Sequence, residues 1–435
     1  MERARRSAAV STVLTLSLAL CACAAHEADS APLAADVVVS WNERVLGIAE
    51  DEDGFLTLKG LRTATLMHLA MHDALNAIER RYATFRPVAA TPDADPLTAA
   101  NEAAYRVAIA AYPDRAADLE AEWRRWSTEA TDRSLPAQEL GRSAADAVLS
   151  ERARDGWDAA AEYQWHPMGP GVYAEFNEHS GTPEGFIFGA GWAQARPFTL
   201  ERPDQFRSPP PPAIDSDAYT RAFDEVKSVG AQGSTTRTAD QTHLAMWWKE
   251  FVEKSHNRLA RELVRADDPG LWEAARLFAR LNMAIYDGYV SSFDAKFAYN
   301  HWRPYTAIRW ASHDGNPDTA EDPSWTNLHD HTYAFPSYPS AHGTVCAAAM
   351  TVLGDAFGEE RAFDMTIREV DAAGPMSDKI LMDPATRSFS SFAEAATECA
   401  LSRVYLGIHF RYDSEAGTAL GRQVGATALE TLGER

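Results

Sequence analysis

The chain has 435 residues, 46% of them apolar and 24% charged, with a formal net charge of −22. That length buries a large core easily, and the composition is ordinary for a globular protein. The acidic balance argues against nucleic acid as a partner, because phosphate backbones attract lysine and arginine.

Residues 1–23 read as a separate object. Basic MERARR, apolar SAAVSTVLTLSLAL and small-residue CACAAHEADS follow the order of a secretory signal. The segment LCAC, ending at Cys23, also resembles a lipoprotein cleavage site, although Cys21 makes the match imperfect. Plain secretion and a lipid anchor on Cys23 both stand, and either predicts an exported protein: periplasmic, outer-membrane-anchored or secreted. No later apolar run reaches membrane-spanning length, so no transmembrane segment is expected in the mature body.

Residues 37–152 are helical in pattern, with Leu66, Leu69, Ala70, Ala74, Ala77 and Ile78 on one helical face. Residues 153–215 change character. They are rich in glycine, proline and aromatics, with little periodicity, and read as an ordered wrapping loop. Helical patterning resumes over 216–435, from AYTRAFDEVKSVG to DSEAGTALGRQVGATALETLG. Alternating runs with hairpin turns are scarce, which predicts an all-α helical bundle. Cys346 and Cys399 are the cysteines beyond Cys23, and the sequence leaves a disulfide and buried free thiols equally open.

Three segments of the C-terminal half carry the chemistry. KFAYNHWRP holds Lys296 and Arg303 seven residues apart, about two helical turns, which puts both on one face, with Pro304 ending the helix. FPSYPSAHGT places Ser340 and His342 at the mouth of an apolar helix, where proline-braced amides favour an anion. SRVYLGIHFRYD brings Arg403, His409 and Asp413; a helix there would let Asp413 hold the imidazole's second nitrogen. Guanidinium forks suit the oxygens of an oxyanion, and two histidines can divide the work of ligand or nucleophile and proton donor.

Taken together, K-x6-RP, PS-x-H and SR-x5-H-x3-D resemble the signature of the type 2 phosphatidic acid phosphatase and haloperoxidase superfamily. The HFRYD form and HWRPYTAIR are most similar to the vanadium-dependent haloperoxidases, bacterial chloroperoxidase-like members in particular. The resemblance is strong over about 290–415 and looser back to about 37. It implies that vanadate is bound, with His409 as the vanadium ligand. Lys296, Arg303, Ser340, Arg403 and the Ala341 backbone N–H would hold its oxygens, and His342 would act as acid–base on hydrogen peroxide. Lys296 would polarise the peroxide attacked by halide, Asp413 would hold His409, and Phe335 would occupy a halide-influencing position in its chloroperoxidase form. A small organic acceptor would take the oxidised halogen, and a homo-oligomer is left open. Ala341 stands where the family carries glycine, so a positive φ there would strain it.

The same residues admit a second chemistry, phosphomonoester hydrolysis without a metal. There phosphate replaces vanadate, His409 forms a phosphohistidine and His342 protonates the leaving oxygen. A non-catalytic oxyanion-binding protein is the third reading, against which the intact histidine pair argues. Elsewhere, His68 and His72 have a spacing that can chelate zinc, but they lack the accompanying glutamate of a zinc protease and read as core histidines. His329 and His331 could face the pocket entrance but read rather as solvated loop residues, Trp247 and Trp248 read as core, and Asp240 receives no role.

Overall fold

Alanine-rich segments with a 3.6-residue apolar period become helices along the whole chain. The structure is a computed structural model that describes residues 35–130 and 134–435. The expected secretory signal and Cys23 lie outside the described residues.

Helix α1 (Asp36–Asp53) stops at Gly54, whose φ of 61° lets its N–H close back on the Glu50 carbonyl. Helix α2 (Lys59–Ile78) is buried on nearly every side. Next come α3 (Pro96–Ala111), capped by the Asp95 side chain, then α4 (Ala116–Glu129) and α5 (Leu135–Glu151). Regular structure then lapses except for the one-turn α6 (Asn177–Ser180) and a 3₁₀ turn at Trp192–Gln194. This stretch is held to the bundle by a buried carboxylate. Asp287 accepts the backbone N–H groups of Phe198 (2.6 Å) and Thr199 (2.7 Å) and the Thr199 hydroxyl (2.6 Å).

Helices α7 (Asp217–Val229), α8 (Ala239–Trp247) and α9 (Val252–Asp267) follow. A Thr238–Gln241 capping box starts α8. The long α10 (Leu271–Tyr299), short α11 (Pro304–Arg309), α12 (Ala341–Phe357), α13 (Phe392–Tyr405) and α14 (Arg411–Glu430) complete the chain. Helix α12 packs against α10, α13 and α14, while α10 also packs on α2, which in turn contacts α3 and α5. One apolar core therefore runs from the first helices to the last. No helix among the described residues is long and apolar enough to cross a membrane.

Helices α12 and α14 approach closely because α14 presents glycines. A Cβ at Gly417 would lie 2.4 Å from the Ser340 carbonyl oxygen, and one at Gly421 2.1 Å from that of Thr344. Gly421→Ala is therefore expected to destabilise the fold by about 1–3 kcal/mol, the usual cost of overpacking. The measurement is the midpoint of urea unfolding; an unchanged midpoint would refute the close fit.

The all-α expectation holds, with one small exception. Between α12 and α13 lie two short antiparallel pairs, β1 (Phe363–Thr366) with β4 (Thr386–Phe389), and β2 (Glu369–Asp371) with β3 (Lys379–Leu381). Strands of three or four residues are too short to display an alternation, which is why the sequence hides them. Cys346 on α12 and Cys399 on α13 form a disulfide, which settles the alternative left open above.

Candidate active site

Lys296 sits in the last turn of α10, and the helix ends immediately after it. Asn300 adopts a left-handed conformation (φ 49°), and Arg303 becomes the extended residue before Pro304, the first residue of α11. The expectation of one continuous helical face bearing Lys296 and Arg303 is thus corrected. Asparagine tolerates left-handed backbone, and proline disfavours helix in the residue before it. Both side chains are nonetheless fully buried and converge on the same turn.

The Lys296 Nζ donates to three carbonyls of that turn, Pro336 (3.0 Å), Ser337 (2.7 Å) and Pro339 (2.6 Å). Arg303 donates through Nε to the Phe335 carbonyl (2.8 Å) and through Nη1 to the Ile408 carbonyl (2.9 Å), and Nη1 lies 3.1 Å from His409 Nε2. Ser340 caps α12, its Oγ accepting the Gly343 N–H at 3.2 Å. Ala341 is the first residue of that helix and does not have positive φ, so the feared strain at this position is absent. First-turn N–H groups have no acceptor within their own helix, which leaves the Ala341 amide available to an anion.

His409 lies just before α14 rather than on it, and Asp413 falls in that helix's first turn. Asp413 Oδ2 accepts from His409 Nδ1 (2.8 Å), from the Phe410 N–H (3.2 Å) and from the Ser337 hydroxyl. The pairing read from the i, i+4 spacing is present, although the first turn of a helix rather than its interior creates it. Burial, reinforced by Arg303, Lys296 and Arg403, holds His409 well below the usual imidazole range. Burial, with Arg403 and His256, does the same for His342. Both imidazoles are neutral at ordinary pH, and the Asp413 contact assigns the His409 proton to Nδ1 and the lone pair to Nε2.

An oxyanion fits this donor set. Arg303 Nη2, Arg403 Nε and His342 Nε2 are buried without a hydrogen-bond partner. Buried guanidinium N–H groups are expensive to leave unpaired, and an anion with several oxygens would satisfy them together. Arg403 also donates through Nη1 to the Trp248 carbonyl at 3.3 Å and interacts with the Tyr333 hydroxyl.

Ala341, His342, Arg403 and His409 line one wall of a cavity of about 320 Å³. Phe335 also faces this cavity, its ring centre 4.6 Å from the Arg303 guanidinium carbon and 5.1 Å from Lys296 Nζ. Lys296, Arg303, Ser340 and Asp413 stand behind that wall rather than on it.

The remaining sequence candidates sort themselves by burial. His68 and His72 are core residues: His68 Nε2 meets Asn42 at 3.1 Å and His72 Nε2 meets the Ala83 carbonyl at 2.9 Å. Trp247 and Trp248 are buried, as expected. Asp240 pairs with Arg387 at the surface. The reading of His329 and His331 as solvated is corrected: His329 is buried and His331 lines the cavity, because the hairpin insertion folds over them and Gly374 packs directly on His331. Among the described residues, the one cluster of three potential metal ligands is His342, Cys346 and Cys399, whose two sulfurs are joined to each other.

Residues 276–434 match the family described as the VCPO second helical-bundle domain. A curated relative, the vanadium chloroperoxidase of Curvularia inaequalis, is 28% identical over 264 residues, which is 47% of this chain and 43% of the relative. The alignment therefore spans less than half the length of that relative. The haloperoxidase fold extends through nearly all of the chain. A crystal structure of a bacterial vanadium-dependent iodoperoxidase superposes with a TM-score of 0.74 at 23% identity, covering 93% of this chain and 98% of that one. A holo-type bacterial vanadium-dependent chloroperoxidase superposes at 0.64 and 17% identity, covering 85% and 90%.

Four contributors to this site escaped the sequence reading. Ser337 was visible inside FPSYPSAHGT, but only the fold shows that it bridges Asp413 and His409. Tyr289 and the loop aromatics Phe188 and Trp192 reach the cavity from distant segments, and no local pattern signals that. The Asp413 contact has a direct test. Asp413→Asn would offer an amide N–H where His409 Nδ1–H, Phe410 N–H and the Ser337 hydroxyl all need an acceptor. A 10–100-fold loss of vanadate affinity or activity is expected, the common effect of removing a partner that orients a ligand. Calorimetric titration with vanadate would measure it, and unaltered affinity would dismiss the orienting role.

Proposed function

We propose that the protein is a vanadium-dependent haloperoxidase, oxidising halide with hydrogen peroxide. The observation that carries the reading is the pair of unpartnered guanidinium donors, Arg303 Nη2 and Arg403 Nε, and the unpartnered His342 Nε2 with its lone pair, gathered around an imidazole whose far nitrogen is pinned by Asp413. His409 would hold vanadate through Nε2, while Arg303, Arg403, Ser340 and the Ala341 amide hold its oxygens. Bound vanadate supplies a Lewis-acid centre that activates peroxide toward halide without changing its own oxidation state.

The residues of the chain do the rest. Neutral His342, on the cavity wall, accepts the proton that hydrogen peroxide gives up on binding. Lys296 fixes the 336–339 turn and puts a positive charge behind Phe335. The aromatic wall limits water around the reacting groups. Phe335 favours chloride as the first halide to test, with bromide and iodide beside it. The signal-like order of residues 1–22, together with the Cys346–Cys399 disulfide, supports export to an oxidising compartment.

The test compares two activities of one preparation. The purified protein is assayed for peroxide-dependent halogenation of a phenolic dye, with and without vanadate, and for hydrolysis of a chromogenic phosphate ester. Halogenation that requires vanadate is expected. Ester cleavage with no vanadate-dependent halogenation would overturn the reading in favour of a phosphatase that uses His409 as nucleophile.

A further inference from the structure

Two side chains of the site hang on one backbone carbonyl. The Trp248 carbonyl accepts from Arg403 Nη1 at 3.3 Å and also from the His342 ring. Trp248 closes α8, and the last carbonyls of a helix find no donor within it, so this one is free for such work. His342 Nε2 has no partner, which assigns the Trp248 bond, and the proton, to Nδ1. Nε2 thereby keeps its lone pair, the form that can take a proton from hydrogen peroxide. The opposite tautomer would present an N–H there and could not.

The carbonyl must itself be held in place. The chain leaves helix after Trp247 and re-enters it at Val252, so a helical ladder does not run through this turn. A side chain anchors it instead. The buried Trp248 ring donates through Nε1 to Glu398 Oε1 on α13 at 2.9 Å. Arg387 on β4 grips that carboxylate with two parallel bonds, Nε to Oε1 and Nη2 to Oε2, both 2.8 Å. Its Nη1 then reaches α8 at Asp240 (2.8 Å) and at His243 Nδ1 (3.2 Å).

One carbonyl or hydroxyl would be enough to satisfy an indole N–H. A carboxylate forked by an arginine fixes direction as well as distance, and here the fork is braced from β4 and α8 together. Neither Glu398 nor Arg387 lines the cavity, so their route to the chemistry is the Trp248 ring.

We propose that Glu398, held by Arg387, is a positioning residue for the two groups on the Trp248 carbonyl. Through the indole ring it places the acceptor that keeps the His342 proton on Nδ1 and steadies Arg403 toward an oxyanion. The inference rests on the haloperoxidase reading for the reaction that His342 serves.

The test compares Glu398→Ala and Glu398→Gln with the parent, each as the full chain. The Glu398 side chain is 21% exposed, so its truncation removes little from the core. In the first arm, vanadate is titrated into each protein by calorimetry. Glu398→Ala is expected to bind about tenfold more weakly, the common scale for losing a partner that orients a ligand. In the second arm, halogenation by the vanadate-saturated proteins is followed against hydrogen peroxide and against halide separately. Glu398→Ala is expected to lose about 10–100-fold in kcat/KM for peroxide with the KM for halide unchanged, a split that general loosening of the fold would not produce. Glu398→Gln still offers the indole an oxygen and is expected to recover most of both losses. Arg387→Met, which removes the fork from the other side, serves as the second variant should Glu398→Ala fold poorly. Equal losses for peroxide and halide, a Glu398→Gln protein no better than Glu398→Ala, or parent values in Glu398→Ala overturn the proposal. A parent chain that binds vanadate but halogenates nothing defeats the haloperoxidase reading instead. The vanadate titrations then decide the relay by themselves: weakening in Glu398→Ala with recovery in Glu398→Gln upholds it, and any other pattern overturns it.

Discussion

His409→Ala is expected to lower vanadate-dependent halogenation by on the order of 10³-fold, the usual scale for losing one group that acts on the reacting atoms. The argument is one of arrangement. Asp413 takes the Nδ1 proton at 2.8 Å, and burial amid Arg303, Lys296 and Arg403 keeps the ring neutral, so Nε2 carries a lone pair into a ring of cationic donors. Alanine removes that lone pair and leaves Asp413 Oδ2 with the Ser337 and Phe410 donors, so the first turn of α14 keeps part of its bracing. Circular dichroism should therefore remain that of the parent while turnover collapses. Activity retained within about tenfold would remove His409 from the centre of the chemistry.

The second large effect concerns stability. The Cys346–Cys399 bridge closes a sequence separation of 53 residues, for which loop-closure entropy predicts about 4 kcal/mol of stabilisation. Cys346→Ala/Cys399→Ala should lower the unfolding free energy by most of that amount, read from the urea midpoint at constant slope. The bridge also stands one helical turn beyond His342 on α12 and one turn before Arg403 on α13. Loosening it should therefore weaken vanadate retention before the fold is lost. A double variant as stable as the parent would show that packing of α12 on α13 alone sets their spacing.

Much of the site was legible in the sequence because its parts are chemically unusual at fixed spacing. Ser340 and His342 two apart at a helix mouth, and His409 four residues before Asp413, each have a local geometric reading. What was not legible depends on long-range packing. Asn300 breaks the helix between Lys296 and Arg303 by adopting left-handed backbone, and the pattern on either side gives little warning. His329 and His331 sit in a loop by every local criterion, and only the hairpin insertion folded above them takes them out of water. The aromatic chamber draws on residues about a hundred and fifty positions apart. Periodicity sees which side of a helix is apolar, but not which loop will come to cover it.

The three carbonyls around Lys296 change how a substitution there would be understood. Three acceptors claim three protons, a pattern that fits the charged ammonium even though burial and Arg303 press its pKa well down. Without that cation, three oxygen dipoles would point at one another across an empty centre, and the turn carrying Ser337 and Ser340 would spring apart. Lys296 thus works like a keystone: pulling it out would dismantle the site even if the amine never touched a reactant.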